Sequence, residues 1–136
     1  MPNEFSRNTQ DADLSKSIVL PASPGAVTTA DIDLGTNSKG FLTENHELEI
    51  FVPALNATQL PNGATITVLI QNGPTAGTTV SSGISRVITG AGGVGSAAST
   101  FRVRLPANSA QFLNVRFTAA TTGSLTAITA AVKLLT

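Results

Sequence analysis

A chain of 136 residues with eight basic and eight acidic side chains, and no cysteine, is bounded first by what it lacks. Zero net charge removes any bulk pull toward nucleic acid or a membrane surface, and the missing cysteine removes disulfides, thiolate nucleophiles and thiolate metal sites. Charged residues are 12% of the chain, about half the usual share, so the surface is largely Ser, Thr, Asn, Gln and Gly or is covered by partners.

Residues 1–16 are polar and hold no sustained period, with Phe5 and Leu14 as the large apolar side chains besides Met1. They read as a disordered tail or as an arm that docks Phe5 on a neighbour. The start lacks the basic-then-apolar profile of a secretory signal, and no apolar run approaches the roughly 18 residues of a membrane span. The expectation is a soluble protein made in the cytosol, with residues 17–136 forming one domain.

Ser17 to Leu20 predicts a short first strand, ended by Pro21 and Pro24. Val27 to Leu34 follows, with Ala30, Ile32 and Leu34 on one face and Asp31 and Asp33 on the other. His46 to Val52 places Leu48, Ile50 and Val52 inward and Glu47, Glu49 and Phe51 outward, so Phe51 is a candidate for an exposed contact. After the Pro61-Asn62-Gly63 turn, Ala64 to Gln71 is β-branched and alternating. A less regular stretch from Thr78 to Thr89 gives one more strand around Ile84 to Ile88.

The last third is the most legible. Phe101 to Leu105 alternates apolar with Arg102 and Arg104, and Pro106 to Ser109 turns the chain. Phe112 to Thr118 sets Leu113, Val115 and Phe117 against Asn114 and Arg116, and Leu125 to Leu135 points Ile128, Ala130, Val132 and Leu134 inward. Strand side chains point alternately to opposite faces, so this pattern marks sheets with one dry and one wet side. About eight strands result.

Charge order carries more than the total. All eight acids lie at or before Glu49, so the balance up to Ile50 is three basic against eight acidic residues, −5, and beyond it +5. Two readings follow: strands of the two halves pair and cancel within the fold, or acidic and basic surfaces remain for copy-to-copy contact. Arg102 and Arg104 share a strand face and, with Arg116, could form a basic stripe facing an acidic protein. No stacking aromatic stands among them, which disfavours nucleic acid.

Candidate chemistry is thin. Gly90-Ala91-Gly92-Gly93-Val94-Gly95 matches the dinucleotide pattern G-x-G-x-x-G and follows a strand. The chemistry also needs a helix to meet the pyrophosphate and an acid about 20 residues on for the ribose. Ser96 to Thr100 leaves little more than one turn, and no acid lies downstream, so the reading is a flexible loop. His46 is the single histidine, Asp31 and Asp33 lack calcium-loop spacing, and Asn56-Ala57-Thr58 is a chance sequon. We therefore expect no catalytic, cofactor or metal residues.

The order of the Phe5 segment, Thr29 to Gly35, Leu48 to Ile50, Ala64 to Val68, Arg102 to Pro106, Phe112 to Val115 and Thr122 to Ala127 resembles small capsid cement, or decoration, proteins of tailed bacteriophages. That resemblance implies an all-β, jelly-roll-like sandwich of antiparallel strands that dimerises. It also implies attachment to the major capsid protein on the virion exterior, with synthesis in the host cytoplasm. The candidate contact residues are Arg102, Arg104, Arg116 and Phe5. The competing reading is a carbohydrate-binding jelly roll of a host-recognition apparatus, although the chain lacks the Trp and Tyr on which sugars commonly stack.

Overall fold

The computed structural model describes residues 15–22, 24–34, 47–105, 110–120 and 122–135. Among them are nine strands: β1 (Ser15–Val19), β2 (Gly25–Thr28), β3 (Ile32–Asp33), β4 (Glu47–Val52), β5 (Thr65–Gly73), β6 (Val80–Thr89), β7 (Ser99–Arg104), β8 (Phe112–Ala120) and β9 (Thr129–Leu135). They form two antiparallel sheets, ordered β1-β9-β4-β7 and β2-β8-β5-β6, with β3 also on β8. The first strand begins at Ser15, inside the segment assigned to the arm.

The pairing has a simple logic. β1 pairs with β9, the β2–β3 segment with β8, β4 with β7 and β5 with β6. The chain is thus one long hairpin, first strand against last, folded at β5–β6. Rolling that hairpin brings β9 beside β4 and β8 beside β5, and closes two sheets over one core. This is a jelly roll, one of the architectures by which antiparallel chains limit exposed edges.

Burial follows the period-two pattern on the strands that the sequence made clearest. Leu48, Ile50 and Val52 of β4 are buried, as are Ile66, Val68 and Ile70 of β5. Leu113, Val115 and Phe117 of β8 and Ala130, Val132 and Leu134 of β9 complete the core, with Ile128 packed partly buried against it. Aliphatic side chains dominate, and Phe117, with no exposed surface, is the largest wholly buried one.

Two irregularities correct the linear reading, and both arise where a hydroxyl replaces a backbone group. The strand expected over Val27 to Leu34 is broken, which raises the count from about eight to nine. Thr28 stands opposite Arg116 and Ile32 opposite Leu113, so three residues face only Val115 and Asn114. Thr29 donates its N–H to the Val115 carbonyl at 3.0 Å, and its hydroxyl accepts the Val115 N–H at 3.1 Å. That extra residue is a bulge, and it flips the facing of everything beyond it. Thr29 is therefore buried and Ala30, expected inward, is exposed; Ile32 recovers the core side.

In β6 the register with β5 slips after Leu69, so Ser82, Gly83 and Ile84 face Ile70 alone. Ser82 Oγ donates to the Ile70 carbonyl at 2.7 Å, and Gly83 takes a φ of +83°, a conformation that glycine adopts without a steric penalty. The bulge also kinks an outermost strand. Together with the short β1 and β2 and the Arg102 and Arg104 side chains on β7, it blunts the strand edges against unwanted pairing.

Candidate protein-contact surfaces

Part of the charge asymmetry of the sequence is met on the outer face of the β1-β9-β4-β7 sheet. Acidic β4 lies between the two basic strands: Glu47 stands opposite Arg104, and Glu49 stands between Arg102 on one side and Lys133 on the other. Arg102 Nε meets Glu49 Oε2 at 2.8 Å, with Arg102 61% exposed and Glu49 18%. Opposite charges placed directly across strands attract, so these two glutamates and three bases offset one another where the strands pair. Such an exposed pair contributes at most about 1 kcal/mol. Glu49→Gln is accordingly expected to lower the unfolding free energy by about 1 kcal/mol or less in urea titrations, and less still in 1 M salt.

Phe51 lies on the same outer face and is 37% exposed, as its place beside the glutamates predicts. Its cross-strand neighbours are Thr100 and Ala131. This face is therefore charged at one end and mildly apolar at the other. Arg86, on β6, holds its guanidinium 5.8 Å from the Phe101 ring centroid, a cation–π distance that ties the edge of one sheet to the edge of the other.

Arg116 does not join a stripe with Arg102 and Arg104. It is on β8, in the other sheet, so the arginines occupy opposite outer faces of the sandwich. Phe5, the fourth candidate contact, and His46 lie outside the described residues. Toward one end of β8 from Arg116 the outer face carries Asp31, bonded to Asn114, and Asp33, opposite Phe112; toward the other it is uncharged. The Arg116 row across the sheet runs Thr28, Arg116, Leu69, Ser85, and the next runs Ala26, Thr118, Thr67, Val87.

The glycine motif is a packing device. Ala91 and Gly95 close a tight hairpin, and Leu55 and Ser96 exchange two backbone hydrogen bonds of 2.9 Å. Gly90 donates to Ala64 and accepts from Gly63. A Cβ on Gly90 would lie 2.2 Å from the Pro61 carbonyl oxygen, and one on Gly95 2.0 Å from that of Leu55. These two glycines are needed because the segment 55–61 presses against them. That segment is itself locked by an Asn-x-x-Gln capping arrangement: Asn56 Oδ1 accepts the Thr58 and Gln59 N–H groups, and Gln59 Oε1 accepts the Asn56 N–H. The loop expected to be flexible is bonded on both sides.

Beside it lies an open concavity of about 610 Å³, lined by Ile88, Thr89, Val94, Ser96, Ser99 and smaller neighbours. Its lining carries no charge to meet a pyrophosphate and no ring to stack a sugar.

The acids considered for calcium are engaged elsewhere. Asp31 accepts from Asn114 Nδ2 at 2.8 Å and from the Gly77 N–H at 2.9 Å, and so holds the β5–β6 turn to β8. Asp33 accepts from Gln111 Nε2 at 3.0 Å. Among the described residues, no group of three or more His, Cys, Asp or Glu side chains is placed to hold a metal ion.

Neither a family model nor a curated protein matches the chain. Among solved structures, it is similar to a chain from the asymmetric unit of the human norovirus GI.7 Houston strain virus-like particle, reconstructed in T=3 symmetry. The match covers 99% of this chain and 31% of that one, at 14% identity and a TM-score of 0.39. This chain thus spans about a third of the length of the norovirus chain.

Proposed function

We propose that this chain is a structural virion protein that binds the outside of a phage capsid and stabilises the shell, without catalysis. The observation that carries the reading is the jelly-roll strand order. Composition and periodicity alone lead only to an all-β module, whereas resemblance to decoration proteins predicts this particular winding. A rigid sandwich with two broad outer faces and blunted edges suits attachment by its surface. Each contact can be weak, because a repeating lattice and pairing of two copies supply avidity. The partner in this reading is the major capsid protein, and the unit that binds is a homodimer.

The test compares virions with particles assembled from a genome lacking this reading frame. The protein should co-purify with the virions in many copies by gel densitometry. Particles without it should rupture at lower temperature, and added protein should restore their resistance. Equal rupture temperatures with and without the chain would overturn the proposal.

A further inference from the structure

The outer face of the β1-β9-β4-β7 sheet is divided along its strands. Its apolar end holds Phe51, the one exposed aromatic ring among the described residues, in a row that runs Ser17, Ala131, Phe51, Thr100. Val19, one outward position beyond Ser17 on β1, is 48% exposed. The next row runs Ser15, Lys133, Glu49, Arg102, and the last runs Leu135, Glu47, Arg104. Across the charged end the sign therefore alternates, with acidic β4 between basic β9 and basic β7.

Resting on the homodimer of the proposed function, we infer that two copies of this chain pair through this face, about a two-fold axis running along the strands between β4 and β9. A two-fold interface lays one patch on itself, so the patch must complement its own rotated image. Sheets packed face to face keep their strands roughly aligned, which leaves an axis along the strands or one across them. An axis across them would turn Glu49 and Lys133 onto the Phe51 row. Charges would then leave water without a partner, which is costly. An axis along the strands keeps each row over itself, apolar end on apolar end.

Sign and cover fix where that axis lies. On β4 it would set Glu49 against Glu49, and on β9 Lys133 against Lys133. Between them, Glu49 of each copy stands over Lys133 of the other, and the Phe51 ring stands over Ala131, whose methyl leaves it room. Arg102 falls over Ser15 at the rim, where water stays. An axis between β4 and β7 would also match sign, but it would lay only those two strands on their counterparts. Four strands about 4.8 Å apart and five to seven residues long offer roughly 400 Å², half of the ~800 Å² per partner of a standard stable interface. The pair is therefore weak in dilute solution and is favoured where copies are concentrated, as on a shell.

The experiment is sedimentation equilibrium of the full chain at concentrations up to ~1 mM. The unchanged protein should show a monomer–dimer equilibrium. Phe51→Lys, Glu49→Lys and Lys133→Glu should each weaken it about tenfold or more, because like charges or an unpaired charge would be brought into the contact. An equimolar mixture of Glu49→Lys and Lys133→Glu should recover dimers, since each copy then meets the opposite charge across the axis. That recovery also shows that both variants fold. Val87→Arg, on the opposite sheet, should associate within about twofold of the unchanged protein. If the unchanged protein dimerises and the three variants dimerise equally well, this face is not the interface, and the homodimer reading stands without it. A mixture that stays monomeric, or loss of dimers in Val87→Arg, would likewise overturn the inference. If the unchanged protein is monomeric throughout, the homodimer reading itself fails, and this inference with it.

Discussion

Gly95→Ala is expected to destabilise the protein by roughly 4–6 kcal/mol, a large part of the ~5–15 kcal/mol that holds a typical domain folded. Gly95 has a φ of +74°, a region that costs an L side chain about 1–2 kcal/mol. The added Cβ would also lie 2.0 Å from the Leu55 oxygen and 2.6 Å from the Asn56 carbonyl carbon. Both are backbone atoms in a segment closed by its own capping bonds, so they cannot swing aside as a side chain would. Relief requires moving the segment off the hairpin and breaking the paired Leu55–Ser96 bonds, at about 1–3 kcal/mol for each group left unsatisfied. Gly93 provides the control. Its φ is +77°, but nothing lies within 4 Å of the would-be Cβ, so Gly93→Ala should cost only about 1–2 kcal/mol. Urea unfolding of the two variants reads the difference directly, and coincident midpoints would refute the close-packed role of the loop.

Phe117→Ala should cost about 3–5 kcal/mol. Phe117 has no exposed surface and lies in the middle of β8, opposite Val27 on one side and Val68 on the other. Truncation leaves a cavity that neighbours pinned in two sheets can fill only in part, so lost transfer energy and lost packing add. A denaturation curve unchanged by the substitution would mean that the facing of β8 is inverted.

Those two positions mark the boundary of what the sequence discloses. β4, β5, β8 and β9 are legible because strict alternation has one physical cause, a strand between water and core. Phe117 was therefore assignable to the inside before any fold was known. The break after Thr28 was not, because Thr29-Ala30-Asp31 continues the alternation on paper. Only the side-chain hydroxyl taking the Val115 N–H inserts the extra residue and turns Ala30 outward. The Ser81-Ser82-Gly83 run is a recoverable signal for the second bulge, since a hydroxyl and a positive-φ glycine occur there together.

The glycine motif showed the opposite failure. Its pattern is conspicuous, yet what fixes Gly90 and Gly95 is a segment some 30 to 40 residues earlier, which local spacing cannot register. The arginine stripe failed for a related reason. Arg102, Arg104 and Arg116 each alternate correctly on their own strands, but which sheet a strand joins is decided by winding. The charge asymmetry, by contrast, posed the right alternative, and pairing of β4 with β7 and β9 sets Glu47 and Glu49 against Arg102, Arg104 and Lys133 inside one sheet.

The central claim, many copies of a jelly roll on a shell, is tested most directly by weighing particles. Purified protein is titrated onto particles assembled without this reading frame, and the mass of intact particles is recorded by charge-detection mass spectrometry. The account predicts a mass gain that saturates at an integral number of 13.8 kDa chains set by the symmetry of the shell. A particle mass that does not change at any protein concentration would contradict it.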